Sequence, residues 1–414
     1  MSKINELILA LCPNGVEYKN IKDLCLENFW VMPSTPNYQN EGIPYITSKN
    51  IRNGIVMFDD VKYITEEDYK TISNNRPITE NDFLISMIGT IGEVGVVKEE
   101  DLPFYGQNMY LLRLNTDLIN IKYFYHYFTS EMVRKKLLGE KNNGNQGYLK
   151  TKNIESLKVP VPPLEVQNEI VRILDKFGEL EAKLEAELEA RKSQYEFWRG
   201  KLLNKEYGNK KNIYEVTIWD KKFNSVEKNM QPSTIKYPVL LASDLFLLDK
   251  PNGNVFLLST GEQTGWTTEE LAGENLCEGE VVTIPWGKSR PVSEVMKYYN
   301  GKFVTGDNRI ATSNDKDLLL NKYLYYWFQN NGNEIDTFYR GAGIQHPNMK
   351  KILTMTIDIP PLEIQKNIVN ILDKFESLVN DITLGLPAEI ELRRKQYEYY
   401  RNKLLSFEEL SVSE

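Results

Sequence analysis

A chain of 414 residues with 41% hydrophobic and 26% charged side chains has room for two or three domains with cores of their own. No apolar run approaches the ~20 residues needed to span a bilayer, and the start MSKINELILALCPNG is too short and polar for a signal peptide. Three cysteines and two histidines argue against a zinc cluster and for reduced thiols in a cytoplasmic protein, while a net charge of −8 weighs against nucleic acid as a partner.

That charge is a sum over the whole chain, to which acidic runs such as residues 179–189 contribute, while basic residues gather elsewhere. In chain order, IPYIT from Ile43, DFLISMI from Asp82 and MYLLRL from Met109 read as strands between Gly- and Asn-rich turns. Thr47, Ser48, Lys49, Asn50 and Arg52 follow the first strand. The run from Gly89 through Thr90 to Gly95 reads as a hairpin turn, and Gln107 and Asn108 open the third strand. KYFYHYF from Lys122 reads as an aromatic helix, with His126 a core or surface position on it. Arg134, Lys135, Lys136 and Lys141 form a basic cluster, and the loop GNQGY carries Asn145 and Gln146.

Next comes VPVPPLEVQNEIVRILDKF, starting at Val159. Its apolar positions Val166, Ile170, Ile173, Phe177, Leu180 and Leu184 alternate steps of four and three, the heptad seam of a helix packed lengthwise on another. The seam slips at Leu188 and resumes at Tyr195, Trp198 and Leu202. Pro162-Pro163 bars helix upstream, and some 40 residues at ~1.5 Å each give a rod of about 60 Å.

The order then repeats. YPVLLA from Tyr237, EVVTIPW from Glu280 and RIATS from Arg309 read as strands, and KYLYYWF from Lys322 as the second aromatic helix. GAGIQH from Gly341 reads as the second Gly-rich loop. The second helical copy, IDIPPLEIQKNIVNILDKF from Ile357, sets Pro360 198 positions after Pro162, and RKSQYEFWRGKLL closes the first copy as RRKQYEYYRNKLL closes the second. The chain is a tandem duplication. The second seam runs Ile364, Ile368, Ile371, Phe375, Leu378, Ile382, Leu386, Ile390, Tyr397, Tyr400, Leu404. Four added residues include Gly385-Leu386-Pro387, where a helix break and a restart at Pro387 are expected. The evident partner of each rod is the other. The expected division is 1–158 and 207–356 for the globular units, 159–206 and 357–414 for the helices.

Chemistry is sparse. Gly287-Lys288-Ser289 lacks the leading glycine of a phosphate-binding loop, and no catalytic residue or metal-ligand set emerges. The loops carry more. Ser243 and Asp244 match the residues after Ile43–Thr47, Asp307 and Asn308 match Gln107 and Asn108, and Gln345 matches Gln146. Trp286, Lys288, Ser289 and Arg290 occupy the place of the Gly89–Thr90 loop, and Arg340 and His346 flank Gln345. Asn, Gln, Arg and Lys read base edges, and Ser, Thr and Lys suit phosphates. Turn formation explains any one of these residues, whereas their recurrence in both units favours DNA contact. From the residues alone, a coiled-coil scaffold whose globular units bind protein or glycan is the other reading. Salt-dependent retention on duplex DNA separates the two.

The duplicated PPLExQ, IxxILDKF and QYExxRxKLL blocks resemble, across the whole chain, the specificity subunits of type I restriction-modification enzymes. The form GLPAEIELRRKQYEYYRNKLL in the second copy is especially specific. The resemblance implies an α+β chain with a pseudo-two-fold repeat: two globular α/β target-recognition domains separated by two long helices that form an antiparallel coiled coil. It implies no catalysis by this chain and no bound cofactor. Double-stranded DNA is the implied partner, with methyltransferase subunits, two of them, that use S-adenosylmethionine to methylate adenine N6. A restriction/translocase subunit using ATP and Mg2+ is a further implied partner. The first copy lacks the Gly-Leu-Pro turn, so the two rods are not expected to be equivalent.

Overall fold

The computed structural model describes residues 2–89, 91–139, 149–261, 264–288, 290–306, 308–381 and 384–410. It divides into two units, residues 1–185 with 389–414, and residues 186–388. The chain therefore leaves the first unit, builds the second, and returns to finish the first.

In the first unit the strand Met109–Leu114 lies inside a four-stranded sheet, antiparallel to Cys25–Val31 on one side and to Phe83–Ser86 on the other, with Val94–Val96 beyond. MYLLRL is apolar at nearly every position because both faces of this strand are covered. On one face Phe83 packs edge-on against Phe124 and Phe128 of the aromatic helix Ile121–Phe128, with ring centroids 4.9 and 5.6 Å apart. The hairpin expected at Gly89 is present, with both Gly89 and Gly92 at positive φ. In the second unit Thr217–Trp219, Asn308–Ser313, Cys277–Pro285 and Tyr298–Thr305 repeat that strand order, and Val255–Leu258 and Trp266–Thr267 extend it to six.

One expected strand is not formed. YPVLLA makes a single bridge, Val239 to Thr305, before the short helix Ala242–Leu247. Pro238 has no N–H for a ladder, and the Tyr237 ring is drawn onto Phe303, centroids 5.3 Å apart.

The first rod is one helix, Leu164–Leu203. The second breaks as expected, into Leu362–Asn380 and Leu386–Leu404, with Pro387 in the first turn of the restart. Gly385 allows this chain path: a β-carbon there would lie 2.6–2.8 Å from the carbonyl oxygens of Ser377, Asp381 and Leu378.

The seams need correction. Val166, Ile170 and Leu174 join the globular core of the first unit, as Ile368 and Leu372 join that of the second. Leu180, Ile371 and Leu378, expected in the seam, are 45%, 41% and 37% exposed. Ile382 lies outside the described residues. Where helices do meet they run antiparallel. In the first unit Phe177 stacks on Tyr400 at 5.5 Å, and Arg394 bridges Glu181 and Glu185 at 2.6 Å each. In the second unit Tyr195 meets Phe375 at 6.3 Å.

Each rod is fixed to its globular unit by one glutamine of the repeated PPLExQ block. Gln167, fully buried, accepts from the Asn120 amide (2.7 Å) and donates to the carbonyls of Leu118 (2.9 Å) and Pro162 (2.7 Å). Gln365 does the same with Leu320 (2.9 Å), Leu318 (2.8 Å) and Pro360 (2.8 Å). One side chain thus satisfies three backbone groups at the point where loop, strand end and helix start meet.

His126 differs from its counterpart Tyr326. Buried, it contacts Asp175 through Nε2 (3.0 Å) and the Tyr397 hydroxyl through Nδ1 (3.0 Å). Burial holds its pKa below 6.5, more strongly than Asp175 raises it. A depressed folded-state pKa means stability that is complete above the unfolded value of ~6.5 and lost as pH falls through the folded value. The first unit is therefore expected to melt lower at pH 5.5 than at pH 7.5, and His126→Gln to flatten that dependence. A profile unchanged by the substitution would show that other groups set it.

Candidate nucleic-acid interface

The loops singled out in the second half of the sequence converge. The strand Cys277–Pro285 delivers Trp286, Gly287 and Lys288 to one edge of the sheet. The Gly-rich loop returns beside them: Lys288 N donates to Gln345 O (3.1 Å) and Gln345 N to Lys288 O (3.3 Å). Gly287 lets the two loops approach closely, since a β-carbon there would meet Ile344 Cγ2 at 2.7 Å unless that side chain shifted. His346 packs on Trp286, rings 5.2 Å apart, and its Nδ1 lies 2.8 Å from the Trp286 carbonyl oxygen.

Together these loops wall a cleft of about 490 Å³, lined also by Lys221, Leu241, Thr260 and Arg309. Ser243 and Asp244 stand exposed just past Leu241, hydrogen-bonded to each other at 3.3 Å. Arg340 is exposed opposite His346 in a two-stranded ladder. Lys288 is less available than expected, since its ammonium pairs with Asp336 and lies 4.9 Å from the Tyr339 ring centroid. Asn308 is buried, with Nδ2 donating to Leu258 O (3.2 Å). Arg290 acts electrostatically on Lys297, whose pKa is lowered to about 8 by burial first and by this neighbour next. Ser289 and Asp307 lie outside the described residues.

Two cleft residues were not anticipated. Arg309 is 5% exposed, its guanidinium stacked 4.0 Å from the Trp286 ring centroid and 3.8 Å from Asp220 Oδ2. Lys221, exposed at the rim, lies 5.3 Å from the same ring and has no ion-pair partner among the described residues. Burial lowers the pKa of both, and the charge of Arg309 adds to the fall at Lys221. The signal for Arg309 was present: it stands where the first unit has the fully buried Met109, so a guanidinium replaces a core side chain.

In the first unit Thr47 and Gln107 are register partners on parallel strands, and Asn108 O accepts from Met87 N (3.3 Å) at the base of the Gly89 loop. Asn50 is structural: buried, it caps through the Thr47 amide (3.1 Å) and donates to Asp59 O (3.0 Å). Lys49 pairs with Asp60 at 2.7 Å, Ser48 is half-buried, and Arg52 is exposed. Gln107 accepts from the Tyr45 hydroxyl at 3.4 Å. Asn108 Oδ1, like Asn308 Oδ1 at the matching position, is buried without a hydrogen-bond partner among the described residues. Thr90, Asn145 and Gln146 lie outside the described residues. No group of three metal-ligating side chains occurs among the described residues, and none of the described helices is long and apolar enough to cross a membrane.

The model of the type I restriction modification DNA specificity domain matches residues 13–190 and again 236–392, one match to each repeat. The chain belongs to this family. As a specificity subunit with DNA target recognition it is similar to a putative type I restriction enzyme specificity subunit of Haemophilus influenzae, 30% identical over 73% of this chain and 77% of the relative. It is also similar to the EcoR124I/EcoR124II specificity subunit of Escherichia coli, 28% identical over 69% and 71%. Among solved structures, the specificity subunit of Mycoplasma genitalium superposes with a TM-score of 0.53 at 12% identity, covering 94% of this chain and 96% of that one. A chain from a study of assembly and conformational transition of the type I system gives 0.57 at 15% identity, covering 95% and 98%. The type I specificity fold is thereby shared across both repeats.

Proposed function

We propose that this specificity subunit reads a bipartite DNA target, one unit per half-site, and docks two methyltransferase subunits. Those subunits bring S-adenosylmethionine and methylate adenine N6, and a restriction/translocase subunit using ATP and Mg2+ completes the cleaving enzyme. No cofactor is assigned to this chain, and the cytoplasm is the compartment. The observation that carries the reading is the repeat itself. A shared order of four strands and the glutamine clamp recur, while the loops at the corresponding sheet edges differ. Invariant scaffolds with divergent edges suit two related but different ligands, and Asn, Gln, Arg and Lys at those edges suit bases.

Replacing residues 207–356 by the equivalent segment of a relative is expected to change one half of the methylated motif and leave the other intact. Whole-genome methylation sequencing of cells carrying the chimera gives the answer. If both halves change together, the units do not read independently.

A further inference from the structure

We infer that Arg309 is a specificity-determining residue of the second unit, presenting its Nε/Nη2 edge to the O6/N7 edge of a guanine, and that Lys221 at the rim takes a phosphate. The inference rests on the DNA reading proposed above and assigns that unit's chemistry. Arg309 is held on three sides: Nη1 donates to Asn308 O (2.9 Å), Asp220 stands 3.8 Å away, and Trp286 lies under the guanidinium plane. Asp220 is itself oriented by the Ile310 amide (3.1 Å). The opposite edge lacks partners among the described residues. Nε is buried with no hydrogen-bond partner, and Nη2 forms no hydrogen bond among the described residues. A planar fork with both donors of one edge unmatched fits a pair of acceptors side by side.

Charge decides which pair. Asp220 already balances Arg309, as Asp336 balances Lys288, so this part of the cleft lacks directional acceptors rather than negative charge. A guanine edge supplies two neutral acceptors in that geometry, whereas a phosphate brings a charge that Asp220 opposes. Of the described cations that line the cleft, Lys221 is the one without an ion-pair partner; it is exposed at the rim, where a backbone phosphate needs only a point charge. The first unit has Met109 in place of Arg309, buried in its core, so the two half-sites are read by different chemistry.

The test uses the subunit assembled with its methyltransferase partners and a duplex library randomised over both half-sites. Arg309→Lys keeps the charge facing Asp220 and removes the fork. Preference for one guanine in the second unit's half-site is expected to fall about 5- to 150-fold, with the rest of the motif unchanged. Substituting 7-deazaguanine at that position is expected to weaken the wild-type complex comparably and to leave Arg309→Lys unaffected. Equal weakening on all sequences, a half-site with no fixed guanine, or equal sensitivity of both proteins to 7-deazaguanine would overturn the assignment. Should Arg309→Lys fail to fold, the 7-deazaguanine scan on wild type decides alone, and a scan with no sensitive position overturns it. Lys221→Ala is expected to weaken binding on every sequence and lower the salt slope by about 1, and an unchanged slope removes Lys221 from the backbone. A wild-type complex with no sequence preference would instead strike the proposed function.

Discussion

Gln365→Leu is expected to lower the stability of the second unit by about 3–6 kcal/mol, a large share of the ~5–15 kcal/mol that holds a domain folded. Leucine fills the space but leaves the Leu320 amide and the carbonyls of Leu318 and Pro360 without partners in a buried site, each at about 1–3 kcal/mol. Gln365→Glu is expected to fare no better, because a carboxylate would face two carbonyl oxygens with no proton to offer. The readout is built in. Five of the six tryptophans, all but Trp30, lie within residues 186–388, so tryptophan fluorescence during urea unfolding follows the second unit. The midpoint should drop sharply for Gln365→Leu and stay put for Gln194→Leu, on an exposed stretch of the long helix. An unmoved midpoint for Gln365→Leu would show that the three backbone groups find other partners.

The second large effect is expected from a stop codon after Ala388. Such a chain lacks Leu404 and Leu405, both buried in the core of the first unit, and the Tyr397 and Tyr400 rings that pack on Phe177. It also lacks the carbonyl of Phe407, which accepts from Tyr18 (2.9 Å), and the strand-like contact of Glu409 with Val16. Circular dichroism should show about half the chain without a cooperative transition, while the tryptophan signal keeps its wild-type midpoint. Two intact transitions would mean that the last helix adds nothing to the first unit's stability.

The duplication, the aromatic helices, the Pro-Pro entries and the break at Gly385 were legible because each is written in local spacing. The clamps were legible only as a repeated letter. Gln167 and Gln365 serve carbonyls 47–49 residues upstream, at Leu318 and Leu118, a relation that no periodicity encodes. Leu180 and Ile371 fit the seam by spacing yet stay exposed, because the first turns of each rod pack on a globular core instead. YPVLLA reads as a strand by composition, but Pro238 and the pull of Phe303 on Tyr237 decide otherwise. At the cleft, Trp286, Gln345 and His346 stood out as loop residues that recur. Arg309 did not: its match to Met109 marks a guanidinium in a core position, but nothing in the sequence names the Trp286 and Asp220 that hold it.

The return of residues 389–410 to the first unit sets an order of birth. The second unit is one unbroken stretch and can close on the ribosome once residue 388 has emerged. The first unit, though made earlier, waits for the last helix, and at ~5–20 residues per second the wait is on the order of 10–40 s. Throughout that interval the surface around Val16, Tyr18 and Phe177 lies bare, a landing place for chaperones and for the C-terminal segment of another nascent chain on the same message. A protein whose first half is completed by its last helix is thus most open to mispairing while it is still being made.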